Sequence, residues 1–256
     1  MDYIDKIMQM ETSDGDSSNE SPLNPSDKRR LKSVAGQLMW ISSHTRPDIA
    51  YDVCDISTSV KGATNQEAFK INKVIRRLKA DEVKIVYGDI GDIAKAEIVC
   101  YTDASFGNLK GGASQGAHII FLKGQNGHYS PVSWKSKKLK RVVKSTMAAE
   151  GQAMTEGADE SFAINGFIKE LLQTESVLPI YVRTDNNSLA QTVYSTKQIS
   201  DKRFQMDVSV LREMLEKGEL MKVEWVTSEL QLADCLTKKG ASSRKLLQAL
   251  SGKWKM

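Results

Sequence analysis

The spacing of apolar residues changes character along the chain. Leu31, Val34, Leu38 and Ile41 recur at helical intervals, a second apolar stretch covers 49–60, and Ile71, Val74, Ile75 and Leu78 mark a basic amphipathic run. Together they predict a small helical unit over 28–94. Residues 11–27 are mostly Ser, Asp, Asn and Pro, too few apolar groups to offset the entropy of ordering, so 1–27 is expected as a flexible lead. The short run 83–87, closed by Gly88 and Gly91, predicts a strand leading into a linker.

A different pattern follows. It predicts strands over 96–103, 117–122 and 129–134, a long helix over 145–173 and a fourth strand over 179–184. Helices over 188–194 and 202–217, a fifth strand over 222–226 and a closing helix over 231–250 complete it. Three hairpin-type strands followed by alternating helix and strand predict an α/β domain over 95–256, a mixed five-stranded sheet flanked by helices. Trp40 and Trp225 are expected in the core.

Composition narrows the class only modestly. Charged residues make up 27% and apolar residues 40%, ordinary for a protein that folds in water. No run is long and apolar enough for a membrane span, and the N-terminus lacks the basic-then-apolar order of a signal peptide, so an intracellular place, cytoplasm or nucleus, and no membrane partner are expected. Cys54, Cys100 and Cys235 show no paired spacing and read as reduced, mostly buried small hydrophobes. A net charge of +4 favours polyanionic partners only mildly.

The candidate chemistry lies in four carboxylates. Asp103 and Asp185 each follow an apolar strand and precede small, turn-prone residues, which places both at strand ends, where α/β folds commonly build sites. Glu150, between Met147 and Met154, falls on the helix stripe facing the sheet, where a charge needs a partner or a cation. Asp234 opens the closing helix between Ala233 and Cys235. Each alone could be a turn cap or a helix-dipole partner. Four converging would need cations or protonation, and an all-oxygen set suits Mg²⁺, with Mn²⁺ as a substitute.

Short motifs then fall into a known order. Tyr101-Thr102-Asp103-Ala104-Ser105, Ser133-Trp134-Lys135-Ser136-Lys137-Lys138, the segment 145–154, Thr184-Asp185-Asn186 and Ala233-Asp234-Cys235-Leu236-Thr237-Lys238 resemble the RNase H domain of copia-type retrotransposon Pol polyproteins. Upstream, Gly36-Gln37-Leu38-Met39-Trp40 and Thr45-Arg46-Pro47-Asp48-Ile49-Ala50 resemble the segment joining the reverse transcriptase to RNase H in the same polyproteins. The resemblance implies an RNase H-like fold and an endonuclease that hydrolyses the RNA strand of RNA–DNA hybrids. It also implies a catalytic, metal-binding set of Asp103, Glu150, Asp185 and Asp234 with two Mg²⁺ ions.

Three departures accompany the resemblance. No Tyr-x-Asp-Asp polymerase signature is present, so a reverse transcriptase palm domain is an implied partner that this chain lacks. No histidine occurs over 202–211, where the family usually carries them, which implies slow turnover. Gly151 and Gln152 stand where the family prefers a large aromatic and an aliphatic residue, which is expected to loosen the helix beside Glu150.

Lys135, Lys137, Lys138, Lys140, Arg141 and Lys144 form a basic stretch beside Trp134. With Ser105 and Asn186 flanking the strand-end aspartates, the expected nucleic-acid contacts are Ser105, Trp134, Lys135, Lys137, Lys138 and Asn186. The alternative is a domesticated, catalytically weak or inactive remnant that binds nucleic acid or a protein partner. The intact carboxylates argue against it.

Overall fold

A computed structural model of the chain describes residues 3–12, 20–174 and 177–254. It divides into two compact units, residues 1–84 and 85–256. No helix among the described residues is long and apolar enough to cross a membrane.

The first unit contains α1 (Pro25–His44), α2 (Ala50–Ser59) and α3 (Asn65–Ala80). Asn24 caps α1 by accepting the Asp27 N–H at 2.8 Å, and Thr64 and Glu67 form a capping box at α3. Leu31, Leu38, Ile41, Ile49, Ile56, Ile71 and Ile75 interlock in its core. Ile7, Met10 and Leu23 are buried in the same core, and Asn72 pairs through its side chain with the Met10 backbone at 2.7 and 2.8 Å. The flexible lead is therefore corrected at its described flanks, where three apolar side chains and an amide clamp tie the chain down; residues 13–19 lie outside the described residues. Trp40 is corrected as well. It is 53% exposed, stacked on His44 and edge-on to Tyr3.

Residues 83–87 form no strand. The Val86 N–H instead donates to the Leu250 carbonyl at 2.7 Å, and Ile90 and Ile93 pack on the core of the second unit, so the boundary falls earlier than the pattern suggested.

The second unit holds β1 (Glu97–Leu109), β2 (Ala113–Lys123), β3 (Tyr129–Lys138), α4 (Thr146–Leu172), β4 (Ile180–Thr184), α5 (Asn187–Tyr194), α6 (Lys202–Glu216), β5 (Lys222–Trp225) and α7 (Arg244–Leu250). The strands form one sheet in the order β3-β2-β1-β4-β5. β1, β2 and β3 pair antiparallel, whereas β4 and β5 extend the sheet in parallel from β1. This is the mixed five-stranded sheet that the sequence pattern predicts. The closing helix is corrected: 231–250 breaks into a 3-10 turn at Asp234–Leu236 and the short α7, with Gly240 at positive φ between them.

Alternation along β1 sorts the two faces. Ile98 and Cys100 join Ile120, Leu122, Ile180 and Val182 against Ala148, Met154 and Ala158 of α4. On the other face, Tyr101, Phe121 and Tyr129 pack edge to face, and Arg183 donates to both tyrosine hydroxyls at 2.8 and 3.1 Å. Helix α4 lies very close to the sheet at Gly157, where a Cβ would come within 2.7 Å of Thr102 Cγ2 and 2.9 Å of Cys100 Sγ. Gly151 plays a similar part, since its missing side chain is replaced by the Phe204 ring of α6. The expected loosening beside Glu150 is thus met by packing from a neighbouring helix.

Gly157→Ala is expected to destabilise the domain by about 1–3 kcal/mol, because the helix must move off a sheet that cannot yield. Gly166→Ala, on the same helix with nothing within 4 Å of the added carbon, should stabilise by roughly 0.5–1 kcal/mol through helix propensity. Denaturant unfolding of the two variants against the parent chain measures both.

Candidate metal centre

The parallel pairing of β1 with β4 ends at Tyr101 opposite Arg183, and Asp103 lies two residues beyond it. It does not end its strand as expected. β1 continues to Leu109 because β2 goes on pairing with it, and Asp103 faces Ala117 across that ladder. Asp185 follows β4 directly, and Asn186 caps α5 by accepting the Leu189 N–H at 3.0 Å. Glu150 sits in the second turn of α4, which Ser145 caps by accepting the Ala148 N–H at 3.1 Å. Asp234 begins the 3-10 turn rather than a long helix.

Tertiary contacts hold that turn against the sheet. Asn108 Nδ2 donates to the Thr237 carbonyl at 2.9 Å, and Gln115 Nε2 and Ser136 Oγ both donate to the Leu236 carbonyl, at 3.3 and 2.5 Å. Gln231 Nε2 reaches the Thr102 carbonyl at 2.9 Å. As a result Asp103, Asp185 and Asp234 each bring a carboxylate oxygen within 4.8 Å of the others. Glu150 is close enough for the charges of Asp103 and Asp185 to raise its pKa. Each of the four carries a distinct contact. Thr237 Oγ1 donates to Asp103, Ser228 Oγ donates to Asp185 Oδ2 at 2.9 Å, Lys238 pairs with Asp234, and Glu150 accepts the Ala104 backbone N–H.

Burial and like charge act in the same direction. Desolvation raises the Asp103 carboxyl to about 7, with Asp185 and Asp234 adding to it and Lys238 and Thr237 opposing. Desolvation, then Asp103 and Asp185, push Glu150 to about 9. Asp103 Oδ1 and Glu150 Oε2 are buried oxygens with no hydrogen bond. Unpartnered buried carboxylate oxygens at and beside three converging aspartates, all hard donors, fit a divalent cation of the Mg²⁺ or Mn²⁺ kind.

The expected nucleic-acid contacts separate. Ser105 lies half-buried at the register irregularity of β1, Asn186 is half-buried beside Asp185, and Lys138 is exposed at the end of β3. Lys135 pairs with Glu160, and Lys137 with Glu156 at 3.0 Å, so both lie over α4 with their charge partly neutralised. Burial raises the Glu160 carboxyl, but hydrogen bonds from His118, Lys135 and Ser133 outweigh it and hold it at about 2. Trp134 is largely buried in the sheet opposite Ile119, which leaves little of its ring to meet a nucleic acid.

The pattern also gave no role to Asn108, Gln115, Ser228, Gln231, Thr237 and Lys238, which place or contact the four acids. Thr237 and Lys238 were visible in the last motif. The others are ordinary polar residues whose partners are far away in sequence. Trp225, expected in the core, is 50% exposed and donates its ring N–H to the Asp185 carbonyl at 3.1 Å.

No family model matches the chain. It is 27% identical over 217 residues to the retrovirus-related Pol polyprotein from transposon RE1 of Arabidopsis thaliana, a match covering 83% of this chain and 14% of that protein. The corresponding polyprotein from transposon TNT 1-94 of Nicotiana tabacum is 26% identical over 208 residues, 80% of this chain and 15% of that one. Its relatives therefore include retrovirus-related Pol polyproteins from plant transposons. The chain spans about 14% of the length of the RE1 relative. Among solved structures, RNase H1 from Halobacterium salinarum is 14% identical, with a TM-score of 0.39, covering 55% of this chain and 94% of that one.

The raised carboxyls fix the pH response of the ion-free protein. Asp103 and Glu150 start from ordinary values of 3.8 and 4.5 and reach about 7 and 9 in the fold, so the folded state holds protons that the unfolded chain has released. Folding stability should therefore decline as pH rises from about 4 through 9 in the presence of chelator. Glu150→Gln should flatten the upper part of that decline, read as melting temperature against pH.

Proposed function

We propose that this chain hydrolyses the RNA strand of RNA–DNA hybrids as the ribonuclease H part of a transposon Pol polyprotein. The observation that carries the reading is the convergence of Asp103, Asp185 and Asp234 within 4.8 Å, beside the unpartnered Glu150 oxygen. Asp103, Glu150, Asp185 and Asp234 would hold two Mg²⁺ ions, or Mn²⁺ in their place. Bound divalent ions supply acidified water and stabilise charge on the departing oxygen.

The chain's own residues prepare that chemistry. Thr237 and Ser228 fix the Asp103 and Asp185 carboxylates, and burial of Asp103 and Glu150 keeps water from competing for their oxygens. A water oxygen bonds to phosphorus as the bond from phosphorus to the 3′ oxygen breaks, leaving a 5′-phosphate and a 3′-hydroxyl. Ser105, Asn186 and Lys138 remain the polar groups to meet the hybrid backbone, while Lys135 and Lys137 must give up their glutamate partners to do so. The helical unit would adjoin a reverse transcriptase palm domain carried on a longer polyprotein.

With a labelled RNA–DNA hybrid, Mg²⁺ or Mn²⁺ should support cutting of the RNA strand only. Asp103→Asn and Asp185→Asn should each reduce the rate by more than about 100-fold, beyond what outer contacts to a metal site usually cost. Binding of the hybrid without cutting in either metal would instead favour a non-catalytic, domesticated nucleic-acid binder.

A further inference from the structure

Lys238 occupies an unusual place for a lysine. Its ammonium pairs with Asp234 four residues before it and stands 3.8 Å from Asp103 Oδ1, the same buried oxygen that accepts no hydrogen bond. Among the described residues, the salt bridges of Asp103 and Asp234 all go to this one side chain. Its influence extends further: its charge lowers the carboxyl pKa of Asp103 and of Glu150, and Asp185 in turn acts on the lysine. One positive charge therefore pairs with two of the acids, and acts at longer range on the other two, where the oxygens of Asp103, Asp185 and Asp234 converge. Yet the side chain is 43% exposed, and a lysine stem is long and flexible, so the ammonium has an open route to solvent.

We propose that Lys238 is an internal counter-cation of the acidic cluster, a positioning residue that holds the carboxylates together without metal and is displaced when a divalent ion enters. The inference rests on the metal-dependent reading of the site. An incoming divalent ion competes with the ammonium for the same carboxylates and is repelled by its charge, so ion binding costs the lysine's pairing and the lysine weakens the ion affinity. A residue that merely supported the fold would act in the opposite sense, since losing it would weaken ion binding.

The test is a Mn²⁺ titration of the full chain, followed by electron paramagnetic resonance of free ion and by calorimetry, for the parent, Lys238→Met and Lys238→Arg. Lys238→Met keeps the stem and removes the charge; it should bind Mn²⁺ about fivefold tighter or more, and melt at a lower temperature in chelator. Lys238→Arg should keep the parent's weaker binding and its metal-free stability. Unchanged or weaker Mn²⁺ binding by Lys238→Met, or unchanged metal-free melting, overturns the counter-cation role while leaving the metal-dependent reading intact. Absence of Mn²⁺ binding by the parent chain overturns both, which separates the two failures.

Discussion

Four carboxylates crowd the point where β4 stops pairing with β1, and mutual repulsion among them is the constraint that organises this end of the domain. Two of them, Asp103 and Glu150, are almost fully buried. A buried anion is costly unless hydrogen bonds, opposite charge or protons compensate it. Each kind of compensation is present: hydroxyls from Thr237 and Ser228, the ammonium of Lys238, and raised pKa values where these run short. The residual mismatch, two buried oxygens with no hydrogen bond, is the feature that fits a small hard cation.

Holding such a cluster together requires a rigid frame, and the chain builds it from distant pieces. β1 and β4 supply two acids in fixed register, α4 lies against the sheet through Gly157, and the C-terminal segment returns to place the fourth acid. That return depends on side chains bonding to backbone: Asn108, Gln115, Ser136 and Gln231 span gaps of more than ninety residues to hold the turn that carries Asp234. The Arg183 network with Tyr101, Tyr129 and Glu224 stiffens the same face of the sheet.

Periodicity alone determined much of this protein. The helical repeats of α1 and α3, the long α4, the five strands and their mixed sense all follow from where apolar residues fall, because burial of one face is decided locally by spacing. The acids themselves were legible as well: Asp103 and Asp185 by the apolar runs before them, Glu150 by its place on a buried stripe, Asp234 by its motif. What spacing could not decide was every feature set by a partner remote in sequence. The break of the last helix at Gly240, the burial of Trp134, the exposure of Trp40 and Trp225, and the glutamates that claim Lys135 and Lys137 all depend on which surface is brought opposite. So does the cluster itself, since acids spread over residues 103–234 repel one another until tertiary packing and Lys238 hold the oxygens of Asp103, Asp185 and Asp234 within 4.8 Å of one another, with Glu150 beside them.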